Sequence, residues 1–176
     1  DRPVDLIADN VDCVIRGGEL TEQSLVARRI GNIDFVTVAS PAYLARHGTP
    51  AHPTELEHSH TMVSFFSSRT GRQYNHYFEC ADERHEITGR YQLAVNESNA
   101  LSEAGLAGLG IVALTRFDVK PHIESGAPGQ ILPDWKRRTL PFYVVYPPNR
   151  HLSAKVRAFV DWAAELFAKN PYMQAR

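Results

Sequence analysis

The sequence predicts a mixed α/β fold, and three observations support this class. Strand and helix patterns alternate in the second half of the chain, and strand-like runs separated by turns fill the middle. Hydrophobic residues make up 43% of the 176 residues and charged residues 22%, a balance that supports a packed core. The length suits one domain, or two small lobes that share a cleft. Alternating strands and helices favour parallel strand pairing with right-handed crossovers.

The first half of the chain contains mainly strand patterns. Runs rich in β-branched and aromatic residues and bounded by Gly or Pro are typical of strands. Gly17-Gly18 ends the first run and Pro41 ends a later one. Short helical turns are predicted for residues 43–46, before Gly48, and for residues 53–56. The predicted strands are residues 11–15, 24–30, 35–39, 62–65, 77–80 and 86–95.

The second half contains the clearest helices. One helix begins near residue 98, with Ser98 or Asn96 as its N-cap, and ends at Gly108 and Gly110. A shorter helix covers residues 118–124, before Gly126, and strands cover residues 111–114 and 140–146. The last helix begins after Ser153 and has an apolar stripe at helical spacing. That stripe consists of Val156, Phe159, Val160, Ala163 and Phe167.

Charge and cysteine content exclude several classes of protein. The formal net charge is −1, so the chain lacks the basic excess needed to bind nucleic acid by itself. Cys13 and Cys80 form no disulfide framework, and we expect both to be reduced and unpaired. The sequence has no export-signal pattern and no apolar run of roughly 20 residues, so we expect no membrane contact and a cytoplasmic location.

No pattern in the sequence predicts a catalytic, cofactor or metal site. The histidines and cysteines have no paired zinc-type spacing, and solvated loop histidines are the favoured interpretation. No Gly-x-Ser-x-Gly elbow is present. The glycines Gly105, Gly108 and Gly110 follow a helix and precede a strand, the reverse of the order in a phosphate-binding loop. They are interpreted as a helix C-terminus packed closely on a strand. We therefore expect neither enzyme activity nor a cofactor.

Four stretches in a fixed order are more specific. They are VDLIADNVDCVIRGG at residues 4–18, VASPAYLARHGTP at residues 38–50, NESNAL leading through AGLAGLGI to residue 111, and LPFYVVYP at residues 140–147 followed by LSAKVRAF at residues 152–159. Together this series resembles the effector-binding domain of LysR-type transcriptional regulators. The resemblance extends over nearly the whole chain.

The resemblance implies a two-lobed fold like that of type 2 periplasmic solute-binding proteins, with two interlobe crossovers. The crossovers are expected near residues 38–41 and 140–142. Lobe one would then contain residues 1–38 and 141–176, and lobe two residues 39–140. Family members carry an N-terminal winged helix-turn-helix and an opening strand and helix of lobe one. These have no counterpart in the sequence, so lobe one is expected to be incomplete and more weakly packed.

The resemblance also implies an effector site in the interlobe cleft, where ligands of such α/β proteins bind. Helix N-termini and arginine favour anions, so a small anionic organic ligand is expected. Three alternatives stay open: Ser98 acts only as a cap, Arg16 is solvated, and Glu97 opposes an anion. The candidate effector-binding residues are Arg16, Gly17, Ser40, Asn96, Glu97, Ser98 and Phe142.

The predicted function is effector sensing for a bacterial DNA-binding regulator. The effector would shift the population of lobe arrangements without chemistry. The expected partners are the small molecule, a second copy of the chain in a dimer or tetramer, and DNA only through the absent winged helix-turn-helix. The alternatives are an enzyme or a solute-binding protein on the same scaffold.

Overall fold

The computed structural model describes residues 4–18, 20, 24–124, 129–148, 153–171 and 173. The helices are α1 (Pro41–His47), α2 (Glu55–His58), α3 (Ser98–Leu106), α4 (Arg116–Glu124) and α5 (Ala154–Lys169). The strands are β1 (Val14–Gly17), β2 (Val26–Ile33), β3 (Phe35–Ala39), β4 (Met62–Phe65), β5 (His76–Cys80), β6 (Glu83–Ile87), β7 (Tyr91–Val95), β8 (Val112–Thr115), β9 (Gly129–Ile131), β10 (Lys136–Arg137) and β11 (Leu140–Tyr146).

The chain divides into two compact units. Phe35–Arg138 forms the large unit, and the described residues of Pro3–Asp34 and Thr139–Arg176 form the small unit. The first division falls earlier than the predicted boundary at residue 38. The reason is that β3 pairs along its length with β8 and β9, which both lie in the large unit. The second division falls at Arg138, two residues before the predicted one at residue 140.

The main sheet of the large unit is a mixed sheet that contains β3, β4, β7, β8 and β9. β3 lies between β8 and β9 and is antiparallel to both. β4 pairs in parallel with β7. A parallel bridge between Met62 and Ile111 joins β4 to the start of β8, and the Val63 N–H donates to the Ile111 carbonyl over 2.9 Å. The expected parallel pairing is therefore restricted to β4 and its neighbours; the other named strand pairs in the described residues are antiparallel.

These directions define two edges of the main sheet. β4, β7 and β8 all end at one edge, which we call the carboxyl edge. β3 begins there, because Phe35 pairs with Thr115 at the end of β8. β3 ends at the opposite edge, beyond the pairing of Val38 with Val112. Ser40 follows β3 and thus lies at that opposite edge.

Antiparallel strands β10, β5 and β6 form a second sheet of the large unit. Residues 86–95, predicted as one strand, are two strands that belong to different sheets. The break lies at Gly89, which has a φ of 75° that an L side chain rarely adopts. After this turn β7 leaves β5 and β6 and joins β4.

α3 ends as the glycine pattern predicts. The Gly108 N–H donates to the Gly105 carbonyl and the Leu109 N–H to the Ala104 carbonyl, and Gly108 has a φ of 74°. This pair of bonds is the Schellman motif, in which a left-handed residue follows the helix. A Cβ on Gly105 would lie 2.6 Å from a methyl of Val112, which shows how closely α3 packs on β8.

The small unit is an antiparallel sheet covered by α5. β11 lies between β1 and β2. Ser153 caps α5 as predicted, because its hydroxyl accepts from the Val156 N–H. Of the predicted stripe, Phe159 is half-buried and the others are buried. Val144 is 0% exposed, as is Val112 of the large unit, so the expectation of weaker packing is wrong at this residue. Val14 and Phe142 are half-buried.

Arg137, which is half-buried, and His76, which is buried, form a pair that connects β10, β5 and β3. The Arg137 guanidinium donates to His76 Nδ1 at 2.8 Å and to Thr37 Oγ1 at 3.3 Å, and lies 4.6 Å from the centre of the Phe78 ring. Burial lowers the pKa of Arg137 to about 10. Burial, and next the charge of Arg137, lower the pKa of His76 to about 3. His76 is thus a neutral acceptor for the half-buried Arg137 cation.

Cys13 lies in the small unit and Cys80 in the large unit, and both are free thiols. Burial, and next the carboxylate of Asp12, raise the pKa of the Cys13 thiol, while Lys155 opposes the shift. In the described part of the chain, no helix combines the length and apolar composition that a membrane span requires. Gly126, predicted to follow α4, lies outside the described residues.

Gly110→Ala should destabilise the large unit by about 1–3 kcal/mol, as overpacking does. A Cβ there would lie 2.8 Å from the Thr61 carbonyl oxygen and 3.1 Å from the Met62 carbonyl carbon, where β4 joins β8. Gly129→Ala is the matched control, because its Cβ would make only an ordinary contact, 3.8 Å from Leu44. Urea unfolding measures both. Equal stability of the two variants would contradict the close contact.

Acidification should destabilise the fold through His76. Its folded pKa of about 3 lies below the ordinary 6.5, so the unfolded chain takes up the proton first as pH falls. This contribution is complete above pH 6.5 and declines by roughly 2 kcal/mol on going to pH 5. His76→Gln, which keeps an acceptor for Arg137, should lose this part of the pH dependence in urea unfolding. The exposed His58→Gln variant should keep it. Parallel wild-type and His76→Gln profiles would rule the mechanism out.

Candidate functional site

Glu97 is the N-cap of α3, in place of the predicted Ser98 or Asn96. Its carboxylate accepts from the backbone N–H of Asn99 at 3.1 Å and of Ala100 at 2.9 Å, and also from the Asn99 side chain at 3.0 Å. The backbone donors of Asn99, and next of Ala100, lower the pKa of the Glu97 carboxyl. Ser98 is the first helical residue and is exposed.

This cap changes the expected electrostatics of the α3 N-terminus. The sequence predicts free N–H groups that favour an anion, but the Glu97 carboxylate already accepts from two of them and adds a negative charge. An anionic ligand would have to displace that carboxylate. Two further polar residues lie at this end of α3: Asn96, which is half-buried, and Ser98, which is exposed.

Ser40 does not lie with these residues. It is 3% exposed, and its hydroxyl accepts from the Tyr43 N–H at 3.2 Å as the N-cap of α1. A Cβ on Gly108, beyond the C-terminus of α3, would lie 2.9 Å from the Ser40 hydroxyl. Ser40 is thus at the edge of the main sheet opposite to Asn96 and Ser98. The predicted grouping of Ser40 with Asn96, Glu97 and Ser98 is corrected here, because the chain crosses between units before β3 and not after it.

The carboxyl edge includes residues that sequence reasoning missed. The Phe66 N–H, just after β4, donates to the Val95 carbonyl at 2.9 Å, so the end of β4 adjoins the segment that leads to Asn96. The Phe65 and Tyr74 rings are 6.2 Å apart between centroids. Thr115, at the end of β8, donates its hydroxyl to Asp118 at 2.7 Å. These residues could have been identified from the parallel order of β4, β7 and β8, because parallel strands end at the same edge of a sheet.

In the small unit the structure brings Gly17 and Phe142 together. They are register partners of β1 and β11, and a Cβ on Gly17 would lie 2.7 Å from the Phe142 ring. The Phe142 ring also lies 5.9 Å from that of Phe167 in the core. Gly17 therefore allows the aromatic ring to pack over the β1 backbone.

Arg16 is on the other face of β1 from Gly17, because side chains alternate along a strand. Its guanidinium is half-buried and donates to the Val4 carbonyl at 3.0 Å. This bond holds the segment that precedes β1. The solvated interpretation of Arg16 is thus replaced by a partly buried cation with a defined backbone partner.

A separate cluster in the large unit has the composition of a metal site. His52, Glu83 and His85 each present one ligand atom, and all three atoms lie within 4.8 Å of one another. The sequence analysis favours solvated loop histidines, whereas the fold places the half-buried His85 beside His52, with ring centroids 4.8 Å apart. No spacing pattern identifies this cluster, because its members come from a loop and from β6.

Comparison with known proteins gives consistent relationships. The family model of the LysR substrate binding domain matches residues 1–168. An HTH-type transcriptional repressor of Pseudomonas aeruginosa is 36% identical over 99% of this chain and 55% of its own length. The HTH-type transcriptional regulator YhjC of Escherichia coli is 36% identical over 93% of this chain and 54% of its own length. The chain thus spans about half the length of these curated relatives.

Solved structures show the same relationship. The regulatory domain of CrgA, a LysR-type regulator of Neisseria meningitidis, has a TM-score of 0.77 and 29% identity, covering 91% of this chain and 77% of that one. Full-length AphB, a virulence activator of Vibrio cholerae, has a TM-score of 0.76 and 27% identity, covering 93% of this chain and 54% of that one. The predicted fold class, α/β with the two-lobed type 2 periplasmic-binding-protein-like architecture of these regulatory domains, is confirmed.

With a family model that matches nearly its whole length and relatives 36% identical to it, the chain belongs to the LysR substrate-binding domain family.

Proposed function

We propose that this chain is the effector-sensing part of a DNA-binding transcriptional regulator. The observation that carries the proposal is the family match over residues 1–168, together with relatives that are named HTH-type regulators. The chain changes its conformational population when a small molecule binds. Recognition of DNA is assigned to a helix-turn-helix segment outside these residues, since a net charge of −1 provides no basic face. The regulator acts as a homo-oligomer in the cytoplasm.

The effector-contacting residues proposed for the large unit are Asn96 and Ser98 at its carboxyl edge. Ligands of open α/β sheets bind outside the carboxyl ends of the strands, and Asn96 directly follows one such end. Ser98 is exposed, and its hydroxyl is not used to cap α3. Glu97 acts differently, by holding the first turn of α3 and by repelling a negative group at that position.

The residue proposed to contact the effector in the small unit is Arg16; Gly17 and Phe142 pack together on the other face of β1 and are proposed only to support the strand that carries Arg16. Arg16 supplies the positive charge that favours an organic acid, and a partly buried guanidinium pairs with a carboxylate more strongly than an exposed one. The Phe142 ring packs over Gly17 and lies 5.9 Å from the Phe167 ring, so it fixes β1 from the face opposite to Arg16. The effector is accordingly a small organic acid whose negative group is bound by Arg16 and not by the α3 N-terminus.

The proposed activity is binding without turnover. The relatives' names describe regulators, and no catalytic pattern occurs in the sequence. An enzyme on the same scaffold would convert the ligand that stabilises it. Incubating the protein with each stabilising compound and analysing the mixture for product distinguishes the two functions, and product formation would favour the enzyme.

Ligand screening and three variants test the site. Thermal-shift assays with panels of organic, aromatic and amino acids should find an acid that raises the unfolding temperature, because a ligand of the native state stabilises it by mass action. By calorimetry with that acid, Arg16→Ala should lose about 1.5–3 kcal/mol of binding free energy, the worth of a charge-assisted hydrogen bond. Asn96→Ala and Ser98→Ala should each lose roughly 0.5–1.5 kcal/mol.

Ser40→Ala is the matched control. Loss of the α1 cap should cost about 1 kcal/mol of stability and leave the affinity unchanged. If Ser40→Ala weakened binding and the Asn96 and Ser98 variants did not, the effector would bind at the opposite edge of the sheet, and the proposed site would be contradicted.

A further inference from the structure

We propose that His52, Glu83 and His85 bind a divalent transition metal ion of the zinc class. The cluster lies wholly within the large unit and apart from the carboxyl edge, so this inference is independent of the proposed effector site. Two imidazoles and one carboxylate form the ligand set that suits zinc and its neighbours, whereas magnesium and calcium prefer oxygen ligands throughout.

The fold supplies two of the three ligands from β6 and one from the loop between α1 and α2. Glu83 and His85 are two residues apart on β6, so their side chains share one face of the strand, the face that also carries the buried Ile87. His52 lies in the segment between α1 and α2. The ring centroids of His52 and His85 are 4.8 Å apart, and the Trp135 ring packs edge-on against both at 4.9 and 5.4 Å.

Two of the three distances between ligand atoms fit a tetrahedral ion, and all three atoms lie within 4.8 Å of one another. Glu83 Oε2 lies 3.5 Å from Nε2 of His52 and 3.5 Å from Nε2 of His85. Metal–ligand bonds of about 2.0–2.2 Å at tetrahedral angles separate ligand atoms by roughly 3.3–3.5 Å. Small side-chain rotations therefore complete three of the four positions, and the fourth position is left for water, as in open zinc sites.

Hydrogen bonds fix the position of the His52 ring. Its Nδ1 lies 2.8 Å from the Thr54 hydroxyl oxygen and accepts from the Thr54 backbone N–H at 3.3 Å. A metal bond at Nε2 requires the proton to shift to Nδ1, where the Thr54 hydroxyl oxygen accepts it. The Thr54 hydroxyl makes no capping bond to α2. The Glu55 carboxylate accepts from the backbone N–H of Ala51 and His52, both at 2.9 Å, and so fixes the His52 backbone.

A buried nitrogen of His85 also indicates a bound ligand, independently of the distances between the three residues. The His85 Nε2 atom is buried and, among the described residues, has no hydrogen-bond partner with good geometry. A buried polar atom left without a partner costs free energy, and a metal bond removes that cost. A bound ion would link the segment before α2 to the β5–β6 hairpin and stabilise the large unit by mass action.

Zinc titration of the Trp162→Phe protein, after removal of metals with EDTA, tests the site. This background leaves Trp135 as the only tryptophan, since the chain contains two. Calorimetry with Zn²⁺ alone should give one ion per chain, and Trp135 emission should change with the same stoichiometry. Co²⁺ should give the visible absorption of a four-coordinate ion.

Ligand variants and one matched control decide the outcome. His52→Gln, Glu83→Gln and His85→Gln should each lower the Zn²⁺ affinity at least about tenfold, and Thr54→Val by roughly tenfold through the His52 ring. His58→Gln, an exposed histidine whose recorded ion pair is with its neighbour Glu57, should bind as the parent does. Unfolding midpoints measured in EDTA verify that each variant is folded. If a histidine variant is not folded, the changes at the exposed Glu83 and the half-buried Thr54 still test the site.

Either of two results overturns the proposal. One is no saturable Zn²⁺ binding by the parent protein. The other is a loss of affinity in His58→Gln that equals the loss in the His52 and His85 variants, which would identify adventitious binding to surface histidines.

Discussion

The antiparallel register of β3 against β8 decides which residues of the large unit can act together. Phe35 pairs with Thr115, so β3 starts where β4, β7 and β8 end, and it runs away from that edge. Asn96 and Ser98, after β7, therefore share an edge with Phe35 and Thr115. Ser40 is separated from them by the length of the strand. If β3 ran in the opposite direction, Ser40 would lie at the carboxyl edge with Asn96 and Ser98. Strand direction, and not proximity in sequence, therefore determines the candidate site.

The second constraint is the charge at the start of α3. Glu97 supplies an acceptor to backbone donors that a ligand would otherwise use, and the same contact lowers the pKa of its carboxyl. The helix N-terminus thus carries its own anion. In the proposed function, the negative group of an organic acid is therefore assigned to Arg16 and not to the α3 N-terminus. A negative group near Glu97 is disfavoured by charge repulsion.

Local patterns predicted the elements that depend on local interactions. The α5 stripe and its Ser153 cap, the α1 turn before Gly48 and the glycine-rich end of α3 are set by residues close in sequence. The α3 N-cap was missed because glutamate is not among the preferred capping residues, although its longer side chain reaches the same donors. Family membership was predictable because four stretches keep their order along the chain.

Features that depend on tertiary packing were not predictable. Whether residues 86–95 form one strand or two depends on the Gly89 turn and on pairing with β4. The cluster of His52, Glu83 and His85 forms only when the segment before α2 packs against β6. The Arg137–His76 pair forms only when β10 pairs with β5. The first unit boundary follows Asp34, and not residue 38 as the resemblance implied, because β3 pairs with β8 and β9 of the large unit.

Amide hydrogen exchange with and without the stabilising acid tests the central claim, that the effector binds at the carboxyl edge of the large unit. Bound ligand slows exchange where it restricts local opening. The account predicts slower exchange in residues 65–67, 96–100 and 115–116, with no change in residues 40–44 at the opposite edge. Slower exchange in residues 40–44 with none in residues 96–100 would contradict it.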